Sequence, residues 1–286
     1  MEIQEKEYAV NEVTLHVAEA GPAEGSTILF LHGFPEFWYG WQQQLAYFSA
    51  HGYRAIAPDQ RGYNRSSKPA GVKAYTLEKL TADIAALIRQ MTQEKVYLVG
   101  HDWGGAVAWA VALRYPELLH RLIILNMPHP QVMAQSMRTN PKQMLKSWYA
   151  GFFQLPLLPE VSSSAFDYTL LEHSLQTSSK KGTFPKEKIA VYKAAWRQPK
   201  ALESMINWYR AYKYSRLDLS GEIIVPTLLI WGRKDTFLGQ EMAPPSIARC
   251  KQGQLKFIDN ATHWLHHEKP DEVNQLIHAF AQASES

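Results

Sequence analysis

Cysteine is almost missing: Cys250 is the one thiol in 286 residues. A lone thiol excludes a disulfide within the chain and a zinc site built on cysteines, and it is compatible with a reducing compartment. Long apolar runs are lacking as well. The opening MEIQEKEYAV is charged from its second residue and has no apolar stretch of the kind a signal peptide needs, and no later run approaches the length of a membrane span. Charge of one sign is also scarce. The 30 Lys and Arg are interspersed with 27 Asp and Glu, the formal net charge is +3, and no long basic run offers a footprint for nucleic acid. The expectation is therefore a cytoplasmic protein with no membrane span and no nucleic-acid partner. The sequence leaves its oligomeric state open.

What the chain does have in quantity is aromatic side chains, 9 Trp, 14 Tyr and 11 Phe, enough to fill a core and to line a cavity. From Ile3 to His16 two alternating segments, IQEKEYAV and VTLHVAEA, read as an antiparallel pair at a sheet edge. After Gly25 the pattern changes to short, nearly continuous apolar runs: STILFLHGF, YRAIAPD, KVYLVGHD and RLIILNM. Each is separated from the next by enough residues for a helix, as in YTLEKLTADIAALIRQM, which is the pattern of a parallel sheet covered on both faces. The alternation stops near Pro128 and resumes with PTLLIWGRKD and QLKFIDNATH before a last amphipathic helix in DEVNQLIHAFAQA. Between them PKQMLKSWYAGFFQL, EKIAVYKAAWRQP and ALESMINWYRAYKYSRL have helical spacing, with LPLLPEVSSS read as a break. The expected organisation is a core in two parts, residues 1–128 and 221–286, interrupted by a helical insertion at 129–220. An insertion after one strand of a parallel sheet emerges above the crevice where such sheets bind ligands, so it can act as a lid.

Three polar groups then fall on loops at strand ends: Asp102 after KVYLVGH, Asp235 after PTLLIWGRK, and His263 after QLKFIDNAT. Asp102 lies in Gly100-His101-Asp102-Trp103-Gly104, a strand-to-helix turn whose middle position is normally serine in G-x-S-x-G. The alternative for an Asp in such a turn is a helix cap. For the histidine, His266 and His267 are rivals, expected to face solvent at the start of the following helix. For the acid the rival is Asp259, which belongs to the same strand end as His263 and is less well set to reach its far ring nitrogen. His32 and Asp59 are read as structural, a loop-fixing histidine and a turn carboxylate paired with Arg61.

Taken in order, HGFPEFWYGW, DQRGYNRSSKP, GHDWGG, GRKD and ATHW followed by EKP resemble the epoxide hydrolase branch of the α/β-hydrolases over nearly the full length. The resemblance implies an α/β-hydrolase fold, a mostly parallel eight-stranded sheet with an inserted helical cap. It implies a catalytic set of Asp102, Asp235 and His263, backbone N–H donors at Phe34 and Trp103 for an oxyanion, and a cis bond before Pro35. It implies neither a cofactor nor a metal. The chemistry agrees independently. A serine that opened an epoxide would form an ether, which the set cannot hydrolyse, whereas Asp102 forms an ester that water activated by His263 can cleave.

Ring opening leaves an alkoxide that needs a proton, and in the family two lid tyrosines supply it. SWYAGFFQ and INWYRAY resemble those segments at Tyr149 and Tyr209, with Tyr168, Tyr192, Tyr212 and Tyr214 as neighbouring alternatives. The partners expected are thus a small apolar epoxide and water, in a pocket lined by Phe37, Trp38, Trp103, Phe152 and Phe153. Two other functions remain open. One is dehalogenation by the same aspartate, disfavoured because Phe34 has no side-chain donor for a halide. The other is a non-catalytic receptor of the same fold, for which an intact Asp102, Asp235 and His263 set has no use.

Overall fold

The computed structural model describes residues 2–283. Its centre is a sheet of eight strands: β1 (Gln4–Val10), β2 (Val13–Ala20), β3 (Thr27–Leu31), β4 (Arg54–Pro58), β5 (Val96–His101), β6 (Leu119–Leu125), β7 (Thr227–Gly232) and β8 (Gly253–Ile258). They lie in the order β1-β2-β4-β3-β5-β6-β7-β8, and β2 alone runs against the others. The antiparallel edge pair and the run of parallel strands agree with the reading of the sequence.

The inner strands read as continuous apolar runs because they are buried on both faces. In β3, Leu29 and Leu31 pack into one cluster while Ile28 and Phe30 pack into the other; in β7, Leu229 and Trp231 alternate in the same way with Leu228 and Ile230. Helices α1 (Gln42–Ala50) and α12 (Pro270–Gln282) supply Leu45, Phe48, Val273 and Ile277 to one face. Helices α2 (Leu77–Met91) and α3 (Trp103–Arg114) supply Leu80, Ile84, Val107 and Val111 to the other. Burying side chains of that size on both faces stabilises the sheet by about 1.5–3 kcal/mol per residue before the entropy of ordering is subtracted.

Between β6 and β7 come six helices: α4 (Pro130–Thr139), α5 (Pro141–Lys146), α6 (Trp148–Phe152), α7 (Leu158–Ser178), α8 (Lys186–Trp196) and α9 (Ala201–Ala211). One expectation is corrected here. The Ser-rich LPLLPEVSSS is not a break but runs into α7, where Ser162 and Ser164 turn their hydroxyls back onto the carbonyls of Leu158 and Glu160 at 2.8 and 2.7 Å. The interruption comes later, at Ala165 to Tyr168, where three consecutive residues have positive φ. After β7 the chain adds α10 (Ala243–Ile247) and α11 (Leu265–Glu268). Among the described residues no helix is long and apolar enough to cross a membrane.

Candidate active site

The polar residues of the site stand where β5, β6, β7 and β8 end, side by side in the sheet. Asp102 occupies the tight turn from β5 into α3 at φ 49° and ψ −125°, a strained conformation for a residue with a side chain. The turn closes because α3 starts against β3: a Cβ on Gly104 would lie 2.2 Å from the carbonyl oxygen of Leu31. The Asp102 side chain does not cap its own helix. Its Oδ1 instead accepts from the N–H of Phe34 at 2.9 Å, and its Oδ2 faces His263 Nε2 at 3.6 Å. The peptide bond between Phe34 and Pro35 is cis, as expected.

His263 Nδ1 lies 2.8 Å from Asp235 Oδ2. Asp235 is held on all sides: Oδ1 accepts from the N–H groups of Phe237 and Leu238 at 2.8 and 2.9 Å, and Oδ2 also accepts from Asn126 Nδ2 at 2.6 Å. Asn126 in turn accepts from the N–H of Gly232 at 2.7 Å, so β6 and β7 are fastened together beneath the carboxylate. The rival Asp259 is exposed and pairs with Arg233. Burial opposes the charged form of His263, but Asp235 and Asp102 outweigh it and carry its pKa up to about 10. Burial likewise acts against the charge on Asp102, and His263 overrides it, so the carboxyl lies below its ordinary value. Both shifts favour an imidazolium lying between the two carboxylates.

Over Asp102 lies a cavity of about 500 Å³. Its floor includes Asp102, Phe34, His263, Phe237 and Trp264; its roof, from the inserted helices, includes Tyr149, Phe152, Phe153, Leu171 and Tyr209. The rings of Tyr149 and Tyr209 stand 6.0 Å apart, edge to face. Burial raises the pKa of both hydroxyls, and the negative charge of Asp102 raises them further, so both stay protonated.

The chain's likenesses to known proteins agree with this geometry. The sequence model of the alpha/beta hydrolase fold family matches residues 26–270. The chain belongs to the α/β-hydrolase family. This α/β-hydrolase is 48% identical over 268 residues to the AB hydrolase superfamily protein YfhM of Bacillus subtilis (strain 168), covering 93% of this chain and 94% of that one. It is 40% identical over 273 residues to epoxide hydrolase 4 of Mus musculus, covering 93% and 75%. In three dimensions it matches the Bacillus megaterium epoxide hydrolase in complex with an inhibitor, with a TM-score of 0.89, 31% identity and coverage of 97% and 100%. The resemblance first read from the motifs thus holds along the chain.

Several expectations about individual residues of the α/β-hydrolase are overturned. Phe37 and Trp38 are not in the cavity wall; Phe37 packs against Tyr39 and Tyr192, and the Trp38 N–H is tied to Asp59 at 3.0 Å. The Trp103 ring is likewise outside the wall, packed against Trp208 and Tyr209. Phe152 and Phe153 do line it. Asp59 does not pair with Arg61: it meets His16 at 2.7 Å and Asn64 at 2.8 Å, while Arg61 grips Asp83 through two bonds of 2.6 and 2.9 Å. His32 does fix its loop, against the Gly33 carbonyl at 3.0 Å and the Gln60 N–H at 3.1 Å. His266 and His267 do not face solvent; both are buried. Asn126 was missed, although its position at the end of β6, level with the three chosen residues, was a usable signal.

Proposed function

We propose that the protein is an epoxide hydrolase that opens small apolar epoxides to vicinal diols through an alkyl ester on Asp102. The observation that carries this reading is a carboxylate at the strand-to-helix turn, 3.6 Å from His263 and roofed by Tyr149 and Tyr209. Residues 129–220 serve as the cap that encloses the substrate.

In the first step Asp102, already ionised, attacks a ring carbon, and the C–O bond of the epoxide breaks toward Tyr149 and Tyr209, which donate to the emerging alkoxide. Ester formation removes the negative charge of Asp102. That charge is one of the causes that hold the proton on His263, so the imidazole loses affinity for it, and the proton makes good the one given to the alkoxide. His263 is thereby converted from an ion-pair partner to a base at the moment a base is required. In the second step it takes a proton from water, whose oxygen attacks the ester carbonyl carbon. The oxyanion accepts from the Phe34 N–H and from the Trp103 N–H, one of the free donors at the start of α3. Collapse expels the diol and restores the carboxylate and the imidazolium, with Asp235 holding the ring in place.

The test is a single turnover in heavy-oxygen water with a styrene-oxide-type substrate, beside an assay of simple alkyl bromides. The first diol should carry ordinary oxygen taken from Asp102, the label should enter the Asp102 carboxyl, and no halide should be released. Label in the first-turnover diol would mean direct attack by water and would sink the covalent scheme. Halide release without diol would transfer the assignment to a dehalogenase.

A further inference from the structure

Beneath His263, outside the cavity wall, four titratable side chains are sealed from solvent: Glu36 is 1% exposed, His101 and His266 are 0%, and His267 is 9%. The hydrolysis scheme uses none of them. Glu36 follows Pro35, His101 precedes the nucleophile, and His266 and His267 lie in α11 just after His263. Glu36 Oε1 is well satisfied, by Tyr192 Oη at 2.7 Å and His267 Nε2 at 2.6 Å. Its other oxygen is not. Oε2 stands 3.2 Å from His266 Nε2 and 3.5 Å from His101 Nδ1, yet among the described residues Oε2, His101 Nδ1 and both ring nitrogens of His266 have no hydrogen-bond partner. His101 Nε2 donates to the carbonyl of His263 at 2.9 Å, and its Nδ1 is turned toward Oε2.

Buried orphans of this kind indicate something held between them. The distances separate the two candidates. A water bridging two of these atoms by hydrogen bonds of about 2.8 Å would hold them roughly 4.5 Å apart. A tetrahedral cation with bonds of about 2.0–2.1 Å holds its ligand atoms roughly 3.4 Å apart, close to the 3.2 Å between Glu36 Oε2 and His266 Nε2. One ligand atom from each of Glu36, His266 and His267 lies within 4.8 Å of the others. Trp41 already fixes the His266 ring, with centroids 4.6 Å apart.

We propose that Glu36, His266 and His267 form a structural site for a divalent cation of the zinc type, with His101 beside it. The donor set of one carboxylate and imidazoles suits zinc. His267 Nδ1 faces Lys188 Nζ at 2.8 Å, which leaves Nε2 as the ring nitrogen turned toward Glu36. The cation ties the loop that carries Phe34 to the segment that carries His263 and takes no part in the chemistry, so the inference stands apart from the epoxide reading.

The experiment uses the full-length protein, stripped with EDTA, incubated with zinc chloride and passed through gel filtration, with metal measured by mass spectrometry. The wild type should retain stoichiometric zinc and melt at a higher temperature with it, and cobalt(II) should give the visible absorption of a tetrahedral site. His266→Gln/His267→Gln should lose all three responses. Wild-type protein that retains no zinc, or a double variant that retains as much as the wild type, overturns the proposal; the first outcome needs no variant and decides the matter even if the double variant does not fold.

Discussion

Replacing Asp235 by asparagine changes one atom in the site, and the structure gives the consequence. Asp235 Oδ2 accepts from two donors at once, His263 Nδ1 and Asn126 Nδ2, while Oδ1 accepts from the N–H groups of Phe237 and Leu238. In Asp235→Asn the carbonyl oxygen keeps the two backbone donors, which leaves the new NH₂ facing both Asn126 and His263. Donor then opposes donor. His263 must turn Nδ1 into an acceptor and carry its proton on Nε2, the nitrogen that should take a proton from water. Losing the correct tautomer and the charge that stabilises the imidazolium typically costs about 10⁴ in rate. We expect ester hydrolysis to slow by about 10³–10⁴, with ring opening, which depends on the Asp102 carboxylate and the tyrosines, changed far less. The variant should also lose stability by about 1–3 kcal/mol, the cost of leaving buried donors unpaired. Rapid-quench intact-protein mass spectrometry separates the steps: the alkyl-enzyme should build up to the full active-site concentration in the variant. If the diol appears at near wild-type rate with no adduct, Asp235 does not orient His263 and the reasoning fails.

Tyr149→Phe and Tyr209→Phe keep the rings and remove only the hydroxyls; a lost oxyanion donor costs about 10²–10³, so with partial compensation each single variant should fall roughly 10-fold or more in ring opening and the double variant should be nearly inactive. Near wild-type diol formation by the double variant would refute their assignment. The pKa of His263 is raised from 6.5 to about 10 in the folded protein, so its contribution to stability is fully present below pH 6.5 and is lost as pH rises toward 10. Calorimetry from neutral to alkaline pH should therefore find a falling transition temperature, and a smaller fall in His263→Gln. In the ester form the His263 pKa drops, so acid should slow hydrolysis before it slows alkylation; a wild-type adduct that accumulates on acidification checks this, and an adduct level independent of pH contradicts it. Gly33→Ala should abolish activity, since its Cβ would sit 2.5 Å from Asp102 Oδ1 and push the carboxylate off the Phe34 amide. A crystal structure of that variant with Asp102 unmoved would speak against it.

Which of these groups the sequence disclosed follows from how each is fixed. The sheet was legible because strands covered on both faces are apolar without interruption, and Ile28 to Leu31 or Leu228 to Trp231 read as such with no help from the rest of the chain. Asp102, Asp235 and His263 were legible because each falls on the loop that follows a strand, within GHDWGG, GRKD and ATHW, the motifs that carry the family resemblance. Errors arose wherever a polar or aromatic residue was assigned a partner from its neighbours in sequence. Asp59 was paired with Arg61, yet Arg61 reaches Asp83 and Asp59 reaches back to His16. His267 was turned to solvent because Glu-Lys-Pro-Asp follows it, yet its partner is Glu36, 231 residues away. Phe37 and Trp38 follow the Phe34 loop in sequence but lie behind it in space, packed against Tyr39, Tyr192 and the Asp59 turn. Apolar burial is a property of a segment and is written in its composition. The partner of a buried polar group is a property of two segments, and the fold alone decides which two meet. The same distinction accounts for Asn126, whose own segment announces only that a strand has ended, while its purpose lies with Asp235, 109 residues further on.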